Sequence, residues 1–376
     1  DFETMKRVIR DKSERRYMMR LDYKSVLVSW AMCLLALTGS VTAQVNWNVA
    51  SGDFCDGINW AGGVFPAATN IAAIQNGGTA NMSSNPPNAI TELWIGDGNT
   101  SSNTLNQSGG TLLVSNYFLV ARSGGALGVY NLSGGDVDKT GSGITAAGWS
   151  GAGSSGIVYM SGSSLFNTRG GEVWLSCANG THGEWNMSGG TVIVSNWTAV
   201  GRGGDDGLLA IGGGLWSNTA ANVTIASFAG NRGKIIVSGS GTLYSKNSIY
   251  VGESGTGLMM ASNGAISCAA LNIGMLGSAA GTLIQEGGVI TVTGGDNRLG
   301  GNASGNTNAY GYCSIENGIF SVNNNFQFGA YGRGIYEQSG GTASFASWPS
   351  IGRFSGGYGV ATISGGTFNQ TSGNRL

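Results

Sequence analysis

Every later part of the chain aligns on Glu184–Gly207, EWNMSGGTVIVSNWTAVGRGGDDG. Apolar side chains alternate along it in three short runs: Trp185 and Met187, Val192 and Val194, then Thr198 and Val200. Gly189-Gly190 and Ser195-Asn196 separate the runs, and a Gly-rich segment after Gly201 closes the unit. A period of two marks strands, and Gly, Asn and Ser mark turns. Three strands and three corners in so short a stretch describe one coil of a solenoid.

The unit recurs. The Ser-Gly corner, or a close variant, returns at 108, 133, 161, 188, 212, 238, 262, 286, 316, 339 and 364, at intervals of 23 to 30 residues. Three positions before it stands an apolar or aromatic column that includes Leu105, Tyr130, Trp185, Met259, Cys313 and Tyr336. Four positions after it a second column includes Leu112, Val137, Leu165, Val192, Thr242 and Phe320. Later in each coil comes a small residue, such as Ala121, Gly148, Ser176, Gly201, Ser227 or Gly252. An apolar residue precedes it, as at Val120, Leu175, Val200 and Ala226. Like residues at one coil per step are what stacked parallel strands produce, about 4.8 Å apart. The small column predicts a corner with positive φ or no room for a Cβ. Gln107, Gln285 and Gln338 share an otherwise apolar column and are expected to bond to neighbouring coils.

Composition agrees. Of 376 residues, 68 are Gly and only four are Pro, as fits many short strands paired on both sides. Charged residues make up 10 %, against ~25 % in an average chain. The formal net charge is −1, and residues 44–376 taken alone are mildly acidic. That balance gives no reason to expect nucleic acid or an anionic membrane as partner.

Residues 1–43 read as an upstream segment and a signal peptide, with translation starting at Met18 or Met19. A basic stretch, MRLDYK, precedes the apolar run Val26 to Leu37, and Val41-Thr42-Ala43 predicts cleavage before Gln44. The run is too short for a ~20-residue membrane span, so no span is expected in the mature part. Residues 44–100 lack the repeat pattern and are expected to cap the first coil, with Trp47 and Trp60 over its open end. The coils then run through residues 101–376, where the sequence reads as truncated within a coil.

The candidate chemistry is sparse. His182 is the only histidine and lies in Asn-Gly-Thr-His-Gly, the pattern of a solvated corner. Asp136 and Asp138 flank inward Val137 and so face outward together, and Asp205-Asp206 sits in a Gly-rich corner. These four are the metal candidates, for calcium, against the plainer reading of solvated surface acids. Trp149 and Trp197 are the candidate glycan-binding residues, with Trp174 and Trp348 beside them in type, provided they line up on one outward face. Arg122, Arg202 and Arg353 share a mixed column read as a solvent-facing corner. Gly201–Gly204 lacks the helix and Lys-Ser/Thr of a phosphate loop. No catalytic residue and no cofactor motif is found. Cys313 falls in an inward column, and the spacing of Cys177 and Cys268 over four coils puts them too far apart to bridge.

The coils, SGGTLLVSNYFLVARSGG and SGGTVIVSNWTAVGRGG most clearly, resemble autotransporter-associated β-strand repeats. The preceding WNVASGDFCDGINWAGGVFPAATNIAAI resembles the head of large secreted repeat proteins of planctomycete and verrucomicrobial type. Some of those end in a PEP-CTERM sorting signal and others in an outer-membrane barrel. The resemblance implies a secreted or surface-exposed β-solenoid passenger with a structural or adhesive role, and it brings no catalytic residues.

The expectation is therefore an all-β, single-stranded parallel β-solenoid, a right-handed β-helix of about eleven coils of ~25 residues. The function expected is a non-enzymatic, exported surface or matrix rod whose partners are polysaccharide or other surface proteins. The alternatives are a carbohydrate-active β-helix enzyme, a polysaccharide lyase or hydrolase, which needs charges clustered across adjacent coils, and a glycan-binding module.

Overall fold

The structure is a computed structural model and describes residues 42–204 and 206–371. The upstream segment, most of the expected signal peptide and Asp205 lie outside the described residues. From Gln44 on, the described residues form one unit. It is a β-solenoid of about thirteen turns, in which the thirty-three strands of the described residues are hydrogen-bonded into one continuous sheet. The extended pairings between strands of successive coils are all parallel, as Glu184↔Leu208↔Lys234 and Val192↔Trp216↔Leu243 illustrate. The one helical element among the described residues is a 3-10 turn, Gly57–Asn59. No helix there is long and apolar enough to cross a membrane.

Each full coil contributes to three ladders. In the Glu184 coil, residues 182–187 lie in the first ladder, 191–194 in the second and Thr198–Val200 in the third. The first two runs form one continuous element, His182–Val194, kinked by register shifts at Ser188. The six alternating residues read from the sequence all point inward: Trp185, Met187, Val192, Val194, Thr198 and Val200 are each at most 3 % exposed. Aromatic rings meet along the axis inside, with Phe118–Phe166, Phe166–Trp185 and Trp185–Trp216 at centroid distances of 5.2, 5.0 and 5.2 Å. Each is edge-to-face, the geometry that the ring quadrupole favours.

Three inward assignments shift by one residue. Val137 pairs with Phe166, not Leu165, and Trp216 pairs with Leu243, not Thr242. In both coils the corner is Ser-Gly-Ser-x instead of Ser-Gly-Gly, and the extra residue rotates the strand by half a period. Likewise Ile225, not Ala226, stacks between Val200 and Val251. Ala226 is itself the small corner residue, at φ 57°.

That corner column has positive φ throughout, from Ala121 (59°) and Ser176 (56°) to Gly201 (69°) and Gly329 (69°). A second glycine column faces it across the seam between the third strand of one coil and the first strand of the next. It includes Gly128, Gly156, Gly183, Gly207, Gly233 and Gly257, which fall in register. A Cβ on Gly183 would fall onto the Ser176 amide nitrogen and the Ala147 carbonyl oxygen. The seam closes because nothing projects there. In the sequence this column is hidden among 68 glycines.

The buried glutamines bind the coils together. Gln107 Nε2 donates to Asp136 O at 2.9 Å, Gln285 Nε2 to Ile319 O at 2.9 Å and Gln338 Nε2 to Thr367 O at 3.0 Å. Tyr130 and Tyr336 complete two of these sites by donating to Gln107 Oε1 and Gln338 Oε1 at 2.6 and 3.0 Å. Each amide thus has a partner on the following coil, as a buried polar group requires.

Residues 44–100 do more than cap. Gln44–Asn46, Ile71–Ile74 and Glu92–Ile95 extend the third ladder, and Ser51–Asp53 and Thr79–Met82 extend the first. The first four-residue strand of the second ladder is Thr111–Val114, preceded by one bridge from Ile90. These early turns have two ladders instead of three, which raises the expected eleven coils to about thirteen. Trp47, Phe54, Trp60 and Phe65 pack edge-to-face at their centre, with centroids 5.1 to 5.9 Å apart. Trp47 and Trp60 are 2 % and 1 % exposed, so neither offers a ring to a glycan. Cys55, Cys177, Cys268 and Cys313 are free thiols. Burial pushes the Cys268 thiol up to about 12 and that of Cys313 higher, so both are unreactive core residues.

Candidate functional site

Two outward faces carry chemistry. The first is the exterior of the third ladder. Its strands are mostly three residues long, so the corner residues on either side fold over them. Trp94, Leu119, Ala146, Ala199 and Thr224 point away from the core and are nevertheless buried. What buries them is an outer layer of rings and guanidinium groups.

Trp149 stacks on Trp174, with centroids 5.6 Å apart and planes 12° apart. Tyr117 leans on Trp149 at 6.0 Å, and Trp197 meets Trp174 edge-on at 6.2 Å. The Arg202 guanidinium lies 3.7 Å from the Trp174 centroid and 5.3 Å from that of Phe228. Arg122 lies 4.0 Å over Trp94 and is held there by Asp97 at 2.9 Å. Arg353 lies 4.0 Å over Trp348. The arginine column read as a plain solvent-facing corner is thus a set of cation–π lids. Trp94 and Trp174 anchor their indole N–H groups on Glu92 and Glu172 at 2.9 and 2.7 Å, and Trp197 donates to Thr224 Oγ1 at 2.8 Å.

Trp149, Trp174 and Trp197 therefore do line up on one outward face. Trp149 and Arg202 are both seated on Trp174, so that ring is engaged and is not an open platform. Trp149 and Trp197 are partly exposed, and Phe228 beside Arg202 is half exposed.

The second face is the exterior of the first ladder. His182 does not sit in a corner: it opens the strand His182–Val194 and points outward. Its Nδ1 is 2.8 Å from Asp206 Oδ2 on the next coil, and its Nε2 is 3.1 Å from Glu184 Oε2 on its own strand. Asn186 donates to the other Glu184 oxygen at 2.7 Å. Register places Arg232 directly beyond Asp206 and Lys234 two residues along the same strand. A shallow cleft of about 430 Å3 runs between Asp206 and these two cations. Residues far apart in sequence thus form one charged cluster over three coils. Only the coil register could have revealed it.

Asp136 and Asp138 do face outward, but they are not a pair awaiting a cation. Asp138 is held by a bidentate Arg169, at 2.6 and 2.8 Å. Lys139, which the sequence places on the same strand, points inward and is fully buried. Its Nζ donates to Gly141 O at 2.8 Å, in space left by Gly171, and burial lowers its pKa to about 8. Asp206 is engaged with His182, and its neighbour Asp205 lies outside the described residues. Among the described residues no group of three or more His, Cys, Asp or Glu is arranged to hold a metal ion.

The exterior of the first ladder also carries an asparagine ladder. Asn131 donates to Asn106, and Asn106 to Asn81, each at 2.8 Å. Compared with known proteins, the chain matches no protein-family model, no curated protein and no solved structure.

Proposed function

We propose that the chain is a non-enzymatic, exported surface or extracellular-matrix solenoid, a structural and adhesive rod of the autotransporter-passenger kind. The observation that carries this reading is the continuity of equivalent outward columns from coil to coil. The asparagine ladder and the ring–guanidinium layer each span several coils. Repeated, laterally ordered groups suit a partner that is itself extended, such as a polysaccharide or a matrix fibre. The proposed export rests on the sequence pattern before Gln44.

The test is a binding screen of residues 44–376 against acidic and neutral polysaccharides, with released ends recorded in the same wells. Retention without release is the expected result. Release of unsaturated or reducing ends would overturn it.

The cluster of His182, Glu184, Asp206, Arg232 and Lys234 supports a second reading, a carbohydrate-active β-helix enzyme. It puts acid–base groups beside cations on adjacent coils, the arrangement that such chemistry needs. Release abolished by Asp206→Asn would support it.

A further inference from the structure

The longest interval in the repeat runs from Glu286 to Glu316, 30 residues. The added residues form a loop, 301–309, between the corner at Gly300 and the strand Tyr310–Ile315. In solenoids such insertions project from one face and often form the binding face. This loop is ordered by its own bonds. Asn306 N donates to Ala303 O at 2.9 Å, and Asn306 Nδ2 to Asn302 Oδ1 at 2.6 Å. Gly277 N donates back to Asn306 Oδ1 at 2.8 Å and ties the loop to the preceding coil. Its far end reaches forward: a Cβ on Gly356, two coils on, would come within 2.8 Å of Thr307 Cγ2. The loop is therefore a wall standing along the seam.

Behind that wall lies a cleft of about 610 Å3, lined by Thr307, Asn308, Arg333, Gly356 and Tyr358. On its floor Arg333 and Tyr358 follow one another on successive coils, in an outward column that continues from Tyr310 on the preceding coil. Tyr358 is 62 % exposed. The Arg333 side chain is exposed and has no ion pair, hydrogen bond or ring partner among the described residues. By contrast, Arg169 and Arg298 are bound to carboxylates, and Arg202 and Arg353 lie on rings.

We infer that this cleft binds a carboxylate-bearing sugar unit, a uronic acid within a polysaccharide chain. A free guanidinium presents a planar fork that fits a carboxylate in two hydrogen bonds. The exposed Tyr358 ring offers an apolar surface to one side of a pyranose. Thr307 and Asn308 supply a hydroxyl and an amide for sugar hydroxyls. One cation among neutral groups matches one carboxylate per unit, and it does not match a dense polyphosphate. The inference rests on the adhesive reading and adds a ligand class to it.

The test is calorimetric titration of residues 44–376 with a hexa-uronate, a neutral hexasaccharide and single-stranded DNA. Variants are Arg333→Gln, Arg333→Lys and, in the first turns, the exposed Ile58→Ala. The expected result is uronate binding that weakens at least about tenfold in Arg333→Gln, recovers partly in Arg333→Lys and is unchanged in Ile58→Ala. Equal melting temperatures exclude unfolding as the cause. Uronate binding that is absent, unaffected by Arg333→Gln, or matched by the neutral sugar or DNA overturns the inference. The adhesive reading is judged separately: it stands if the wild-type rod and Arg333→Gln both still retain polysaccharide in the screen, and it falls if neither retains any.

Discussion

The exteriors of the first and third ladders are built on one backbone and end in opposite states. Outside the third ladder, Leu119, Ala146 and Ala199 are at most 3 % exposed beneath rings and guanidinium groups. Outside the first, Leu208, Lys234 and Leu258 form one column on successive coils and Ala210, Ile236 and Met260 the next, and each of these residues is partly exposed. Strand length explains the difference. A strand of three residues spans about 10 Å, so side chains from both bordering corners meet over it. A strand of six spans about 20 Å, and the corners cannot reach across. Inward columns are dictated by stacking, whereas outward ones depend on how near the corners are.

The severest test acts on the seam that joins the two faces. Gly183→Val places side-chain atoms on the Ser176 and Ala147 backbone and should cost about 3 kcal/mol or more, seen as early amide exchange in the flanking coils. Trp174→Ala removes the ring between Trp149 and Arg202 and should cost about 2 kcal/mol in denaturant titration. The matching change outside the first ladder, Ile236→Ser, should stay within about 0.5 kcal/mol. Should it cost as much as Trp174→Ala, the two faces are equivalent and the strand-length argument is wrong.

The last test acts at Lys139 and is read through its pH dependence. Its pKa is about 8 in the folded chain, below the ordinary 10.5, because burial disfavours the ammonium. The unfolded chain therefore binds more protons between these values, and stability rises as pH climbs from 8 towards 10.5. Lys139→Met should accordingly stabilise at pH 7, with a gain that shrinks over that window. Melting curves from pH 6 to 10.5 would show it, and a gain independent of pH would contradict the burial argument.

The three-run coil, the inward Trp185 and Val192 columns and the positive-φ corner are legible in the sequence because each is periodic. Phe166 and Leu243 take the inward places that the spacing assigns to Leu165 and Thr242, because one extra residue in a Ser-Gly-Ser corner is locally invisible and flips the face. The first turns escaped because their strands are short and the second ladder has scarcely begun. The outward alignment of Trp149 and Trp197 could be posed as a question, but the lids over Trp94 and Trp174 could not. Those contacts join different columns of adjacent coils, and His182 and Asp206, although in one column, are paired only by a register the sequence does not print. They emerge only once every coil has a register.

The closed seam has a mechanical consequence. Pulled end to end, the solenoid should unwind one coil at a time, since each coil is held chiefly by its two neighbours. A coil of about 25 residues releases roughly 80–90 Å of contour. Force–extension traces should therefore step at nearly uniform spacing, interrupted by one longer step at the enlarged coil that carries the Thr307 loop. The spacing of residues in the repeat becomes a ruler written in the chain and readable under load.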